Sequence, residues 1–177
     1  VTIPAAHKQI VTTALEAGCN VFGEKPIAES LEVARKVLKV AQETGKKYTV
    51  MQNHRYNKQI RALRDLLASG SIGTIDSLHA DFFLGPHFGG FRDEMNSPLI
   101  VDMAIHTFDQ ARFISGADAV SVYCHEFNPL GSWYKGNASA IIIYEMSDGS
   151  VFSYRGSWCA EGLNTSWESD WRVTGSK

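Results

Sequence analysis

Cys19-Asn20-Val21-Phe22-Gly23-Glu24-Lys25-Pro26 decides the fold: a short apolar run ends in a charged pair and a proline. The run has the length of a buried strand, and Lys25 falls at its carboxyl end, the edge where open α/β sheets bind ligands. Pro26 restricts the backbone and removes a donor, so the turn is stiff. A charge on a stiff turn suits orienting a substrate or cofactor; these residues alone leave a solvated loop as the alternative.

Helix patterns flank this strand. Pro4 suits the first turn of a helix, Ala6, Ile10, Ala14 and Ala17 recur at helical spacing, and Gly18 ends the pattern. Downstream, Ser30 can cap a helix in which Leu31, Ala34, Val37, Leu38 and Ala41 form one apolar face, stopped by Gly45. Tyr48 to Met51 reads as a second short strand. Helix, strand, helix, strand predicts parallel βαβ units with right-handed crossovers, as in the second half of a doubly wound nucleotide-binding domain.

The pattern changes at Gln52, which divides the chain into residues 1–52 and 53–177. Ile60, Leu63, Leu66 and Leu67 predict an amphipathic helix ending at Gly70, and Thr74 to Leu84 a longer strand. The Gly/Phe-rich loop from Gly85 to Ser97 is longer than a connection requires, which points to function. Pro98 opens a helix to Ile114, ended by Gly116. Strands are then expected at Val120–Phe127, Ala138–Met146, Val151–Cys159 and Trp167–Val173, with Asp148-Gly149 as a hairpin turn. The expected fold class is α/β plus α+β: the end of a parallel αβ domain, then a domain with a mainly antiparallel sheet. Val1-Thr2-Ile3 reads as a strand already in progress, and the chain stops mid-pattern at Lys177. A fragment of a longer protein is therefore expected.

With 177 residues, 44% of them hydrophobic, the chain can bury a core. A net charge of −2 and no basic cluster argue against nucleic acid. The apolar runs are too short to span a bilayer. Cys19, Cys124 and Cys159 are odd in number and far apart, which fits a reducing cytoplasm and no disulfide framework.

Asp102 and His106 stand four apart on the expected helix, so carboxylate and imidazole share a face and can act together in proton transfer. An ordinary i,i+4 pair or a core histidine is the alternative. His87, Asp93 and His125 could add metal ligands but have no tight spacing, so no metal site is expected. Asn53, His54, Arg55 and Tyr56 follow a strand end. Arg55 suits an oxygen-rich substrate, whereas His54 reads as polar linker. Arg92 and Asp93 of the Gly/Phe loop could face a cleft. Trp133, Trp158, Trp167 and Trp171 read mostly as core or subunit-interface residues. No Gly-x-Gly-x-x-Gly is present.

Taken together, Thr2-x-Pro4-x-x-His7, Glu24-Lys25-Pro26, Arg55 and Asp102-x-x-x-His106 resemble the Gfo/Idh/MocA oxidoreductase family, which includes glucose-fructose oxidoreductase and inositol dehydrogenase. The resemblance implies a Rossmann domain binding NAD or NADP, then an α/β domain whose sheet forms a homo-oligomer interface. It implies a sugar or polyol substrate, with Lys25 at the reacting hydroxyl, His106 as proton acceptor and Asp102 orienting it. Thr2, Pro4, His7, Glu24 and Pro26 would line the cofactor side. The family also holds dinucleotide-binding regulators without catalysis, which stay as the alternative. The intact Lys25, Asp102 and His106 favour the dehydrogenase.

Overall fold

A computed structural model describes residues 2–177. The strand expected at the start lies partly outside these residues, at Val1; Thr2 and Ile3 form no strand, and Ile3 is the extended residue preceding the first helix. The chain divides into two compact units, one up to Gln52 and one over Asn53–Lys177.

In the first unit, α1 (Pro4–Glu16), β1 (Val21–Gly23), α2 (Leu31–Thr44) and β2 (Tyr48–Val50) follow in order, and β1 pairs with β2 in parallel. Pro4 stands at the start of α1. The buried stripe of α1 is His7, Val11 and Leu15, not the expected Ala6, Ile10, Ala14 and Ala17; Ile10 is 50% exposed. The alanines carry little apolar area, so the larger Val11 and Leu15 set which face turns inward. Ser30 caps α2 by accepting from the Val33 N–H at 3.3 Å, and Gly45 ends it at φ 64°. Ala34, Val37 and Ala41 are buried, while Leu31 and Leu38 of the expected stripe are exposed. Val11, Leu15, Val37 and Ala41 form this unit's core.

The second unit opens with a 3-10 turn (Asn53–Tyr56) and α3 (Lys58–Ala68). β3 (Ile75–Phe83) follows, then the loop holding a short 3-10 turn (Gly90–Arg92). Where one helix was expected from Pro98, a π-helical turn (Leu99–Ala104) precedes α4 (Ile105–Ser115), which Gly116 ends at φ 74°. β4 (Ala119–Phe127), β5 (Ser139–Met146), β6 (Val151–Ser157) and β7 (Asp170–Gly175) complete a five-stranded sheet ordered β4-β5-β6-β3-β7. β3 runs parallel to β6, and the other neighbours are antiparallel. β7 starts three residues later than expected, because the chain turns first at Ser169, φ 67°. At the β5–β6 hairpin Gly149 takes φ 86°, and the Asp148 carboxylate accepts from the Ser150 N–H.

Alternation along the strands fixes the buried face. Leu78, Ala80 and Phe82 of β3, Ile142 of β5 and Phe152 and Tyr154 of β6 join residues of α3 and α4 in one core. On the other face Tyr123, Ile141 and Ile143 are exposed.

Candidate active site

In the first unit the chain leaves β1 directly into Glu24-Lys25-Pro26, with a cis peptide between Lys25 and Pro26. Lys25 is half-buried. His7, on the buried stripe of α1, braces this turn. Its Nδ1 lies 2.8 Å from the Pro26 carbonyl and its Nε2 3.1 Å from the Thr2 carbonyl. Both carbonyls only accept, so a neutral ring donates to one at a time. Thr2, His7, Phe22, Gly23, Glu24 and Tyr48 line a cleft of about 160 Å³. The structure thus brings Thr2, His7 and Glu24 together, while Pro4 and Pro26 serve the backbone around them. A Cβ on Gly23 would come within 3.0 Å of the Tyr48 ring, so only glycine lets the ring lie this close to the strand end. Among the described residues the buried Tyr48 hydroxyl has no hydrogen-bond partner, and burial raises its pKa.

In the second unit α4 supplies one side of the site. His106, Asp109, Gln110 and Phe113 recur at i, i+3, i+4 and i+7, which puts them on one face. The 3-10 turn Asn53–Tyr56 lies along that face. The His54 ring stacks on His106 with centroids 4.0 Å apart and planes 14° from parallel. Arg55 donates from Nε to Asp109 Oδ2 at 2.7 Å and from a second nitrogen to Oδ1, and its guanidinium lies over Phe113 at 5.3 Å. Gln110 Nε2 donates to the His54 carbonyl at 3.3 Å. The expectation of His54 as linker is therefore corrected: it touches the histidine singled out for proton transfer. Its place after a strand end was the only hint in the sequence.

Asp102, on the π-helical turn, and His106 are each only 4% exposed. Such turns occur often at functional sites. Arg92 reaches across from the Gly/Phe loop and donates from Nε to Asp102 Oδ2 at 2.6 Å. Its guanidinium also lies over Phe88 and Phe91. The loop is tied down by backbone bonds from Lys135 to Asp93 and from Asn137 to Asn96, each 2.8 Å. Between them, a Cβ on Gly136 would stand 2.1 Å from the Asn96 carbonyl oxygen. Burial pushes the nearby Tyr134 phenol up to about 12, with the Asp93 and Asp102 carboxylates adding to the rise. The structure thus joins Arg92 to Asp102 and Arg55 to Asp109. Asp93 keeps one buried carboxylate oxygen with no hydrogen-bond partner among the described residues. No group of three or more His, Cys, Asp or Glu suited to a metal ion occurs among the described residues, and no helix there is long and apolar enough to cross a membrane.

Family comparisons bear on both units. Residues 60–177 match the GFO/IDH/MocA C-terminal domain, and residues 1–52 match the oxidoreductase family with an NAD-binding Rossmann fold. The chain belongs to the GFO/IDH/MocA oxidoreductase family. It is 32% identical over 91% of its length to the uncharacterized protein y4oX of Sinorhizobium fredii (strain NBRC 101917 / NGR234), covering 46% of that protein. It is 34% identical over 71% of its length to the D-glucoside 3-dehydrogenase of Escherichia coli (strain K12), covering 38% of it. The chain thus spans less than half the length of these relatives. An Agrobacterium radiobacter oxidoreductase, crystallised with NAD+, L-tartaric acid and magnesium, superposes with a TM-score of 0.91 at 24% identity, over 99% of this chain and 52% of that one.

The first unit fits part of a dinucleotide. Its cleft stands at a strand end and presents a buried hydroxyl, Tyr48, with no hydrogen-bond partner among the described residues. At about 160 Å³ it is smaller than the roughly 300–1,000 Å³ of whole ligand pockets.

Proposed function

We propose that the chain is the part of an NAD(P)-dependent oxidoreductase that carries Lys25, Asp102 and His106, and that the enzyme oxidises a secondary alcohol of a sugar or inositol. One observation supports this reading: the buried Asp102, held by Arg92, and the buried His106, stacked on His54, stand four residues apart where a π-helical turn, a feature frequent at functional sites, meets α4. The E. coli glucoside dehydrogenase among the relatives supports the sugar class.

In this reading the residues divide the work of removing a hydroxyl proton. The Lys25 ammonium favours alkoxide character on the substrate oxygen. His106 accepts the proton, with Asp102 orienting its ring. Arg92 fixes Asp102 from the loop, and Asp93 faces the substrate from the same loop. Arg55 fixes the 53–56 turn against α4 through Asp109, on the substrate side. Thr2, His7, Glu24 and Tyr48 would hold the nicotinamide end of the cofactor, which when bound supplies the hydride acceptor. Calorimetry on residues 1–177 alone is expected to detect no NAD binding, since the cleft of about 160 Å³ is smaller than a whole ligand pocket. The open sheet face carrying Tyr123, Ile141 and Ile143 would be the homo-oligomer contact.

The test is NADH or NADPH formation by the full-length parent on a panel of sugars and inositols. Activity on at least one is expected, with His106→Ala reducing kcat at least about a hundredfold. No turnover on any of them would favour the regulator reading, and an unimpaired His106→Ala would remove the base assignment.

A further inference from the structure

We infer that Phe88 and Trp167 form a subsite for a second ring beside Asp102 and His106, so that the sugar taken here is a glycoside. The second ring, a sugar or an aryl group in glycosidic linkage, lays its apolar face on the two aromatics. The inference rests on the reading of Asp102 and His106 as the place of oxidation; the ring contact itself belongs to the second unit alone.

The aromatic group has a floor and two walls. Phe82 at the end of β3 and Trp158 just after β6 are 0% and 3% exposed and make the floor. Phe88 lies 6.4 Å from Trp158 between centroids, and Trp167 lies 6.4 Å from Phe82. Phe88 and Trp167 are 6.3 Å apart with planes at 37°, and stay 54% and 44% exposed. Single exposed aromatics are ordinary; two that share a buried aromatic floor make a patch of the kind that marks a binding surface. The C–H bonds of a pyranose and the edge of an aryl ring carry partial positive charge, which the face of an aromatic ring attracts.

The walls are held in place. The Leu84 carbonyl accepts from the Ala160 N–H at 3.2 Å and the Phe83 carbonyl from the Thr165 N–H at 3.0 Å, so the two segments leave the sheet joined. The Arg92 guanidinium lies 5.3 Å from the Phe88 ring, and the preceding His87 stacks on Trp133 at 3.6 Å. Rings fixed in advance lose little freedom when a ligand binds.

Both walls border the candidate site. Arg92, against Phe88, donates to Asp102. Beside Trp167, Glu168 accepts from Asn57, which follows the turn that holds His54. The next residue, Ser169, meets Thr107, the residue after His106, hydroxyl to hydroxyl at 3.2 Å. With the Arg92 side chain between Phe88 and Asp102, a ring on Phe88 is not the ring whose hydroxyl reaches His106. Two linked rings are therefore required.

The test compares binding of methyl β-D-glucoside, phenyl β-D-glucoside and cellobiose to residues 1–177 by saturation-transfer NMR, in wild type, Phe88→Ala and Trp167→Ala. Phenyl glucoside or cellobiose is expected to bind at least about tenfold tighter than methyl glucoside, with saturation strongest on the added ring. A gain for the phenyl glycoside assigns an aryl group and a gain for cellobiose a second sugar; either supports the proposal. Each substitution is expected to cut the gain at least about threefold. The two lie on separate segments, so one variant suffices should the other fail to fold. The proposal is overturned if wild type shows no preference for a second ring, including no binding of any of the three, or if a folded variant keeps the preference in full. A changed oligomeric state of either variant on sedimentation would show a second copy covering the patch and would also overturn it. No readout involves turnover, so a failed subsite and a failed dehydrogenase reading are distinguishable.

Discussion

Replacing Arg92 by methionine tests whether the loop holds the buried carboxylate of Asp102. The Asp102 side chain is 6% exposed and that of Arg92 32%, so the carboxylate lies in a region of weak screening and the guanidinium at its edge. Removing one partner of a buried ion pair costs about 3–5 kcal/mol, and the part-exposed arginine places this case at the low end, about 3 kcal/mol. Methionine still reaches Phe88 and Phe91, so the loss is chiefly that of the charge. Asp102→Asn keeps the shape and an acceptor oxygen and should cost about 1–2 kcal/mol. In the double variant neither charge remains, so its cost should fall below the sum by about 2 kcal/mol. All four tryptophans, Trp133, Trp158, Trp167 and Trp171, lie in the second unit, so their fluorescence in urea reports that unit alone. The Arg92→Met midpoint on heating should drop about 10 °C. Additive effects, with coupling below about 0.5 kcal/mol, would refute the account of Arg92.

Gly136→Ala drives a Cβ into the Asn96 and Met95 carbonyls, both backbone atoms that cannot step aside. It should lower stability of the second unit by at least about 2 kcal/mol in the same urea assay. Burial raises the pKa of Tyr134 to about 12, and Tyr144 and Tyr154 shift the same way. An acid whose folded pKa is raised holds its stabilising contribution below the unfolded value of about 10 and loses it as pH climbs towards the folded one. Urea stability should therefore fall between pH 10 and 12, by up to about 1.4 kcal/mol per pH unit per phenol, and Tyr134→Phe should flatten the slope. Ser30→Ala removes the cap of α2 and should cost the first unit about 1 kcal/mol, read by circular dichroism.

Features governed by neighbours in the chain were legible in the sequence. The strand end before Glu24-Lys25-Pro26, the Ser30 cap, the Gly45 and Gly116 stops and the Asp148-Gly149 turn all follow from local backbone preferences. What escaped depends on tertiary partners. The stripe on α1 was misplaced by one position because alanines satisfy helical spacing on several faces, and only packing chooses Val11 and Leu15. The π-helical turn leaves no mark in the periodicity from Pro98. The parallel pairing of β3 with β6 joins strands some seventy residues apart, as Ala80 with Tyr154, and no turn residue announces it. In the site, the spacing of Asp102 and His106 was visible. Arg92 on Asp102, and His54 on His106, are set by a loop and a 3-10 turn without a repeat to read.

The central claim is that His106 accepts a proton during oxidation of a sugar or inositol hydroxyl. It is tested most directly by reduced-cofactor formation in a full-length oxidoreductase that carries these residues, wild type against His106→Ala, on a substrate the wild type oxidises. The account predicts a fall in kcat of at least about a hundredfold with the fold intact. Equal rates in the two proteins would contradict it.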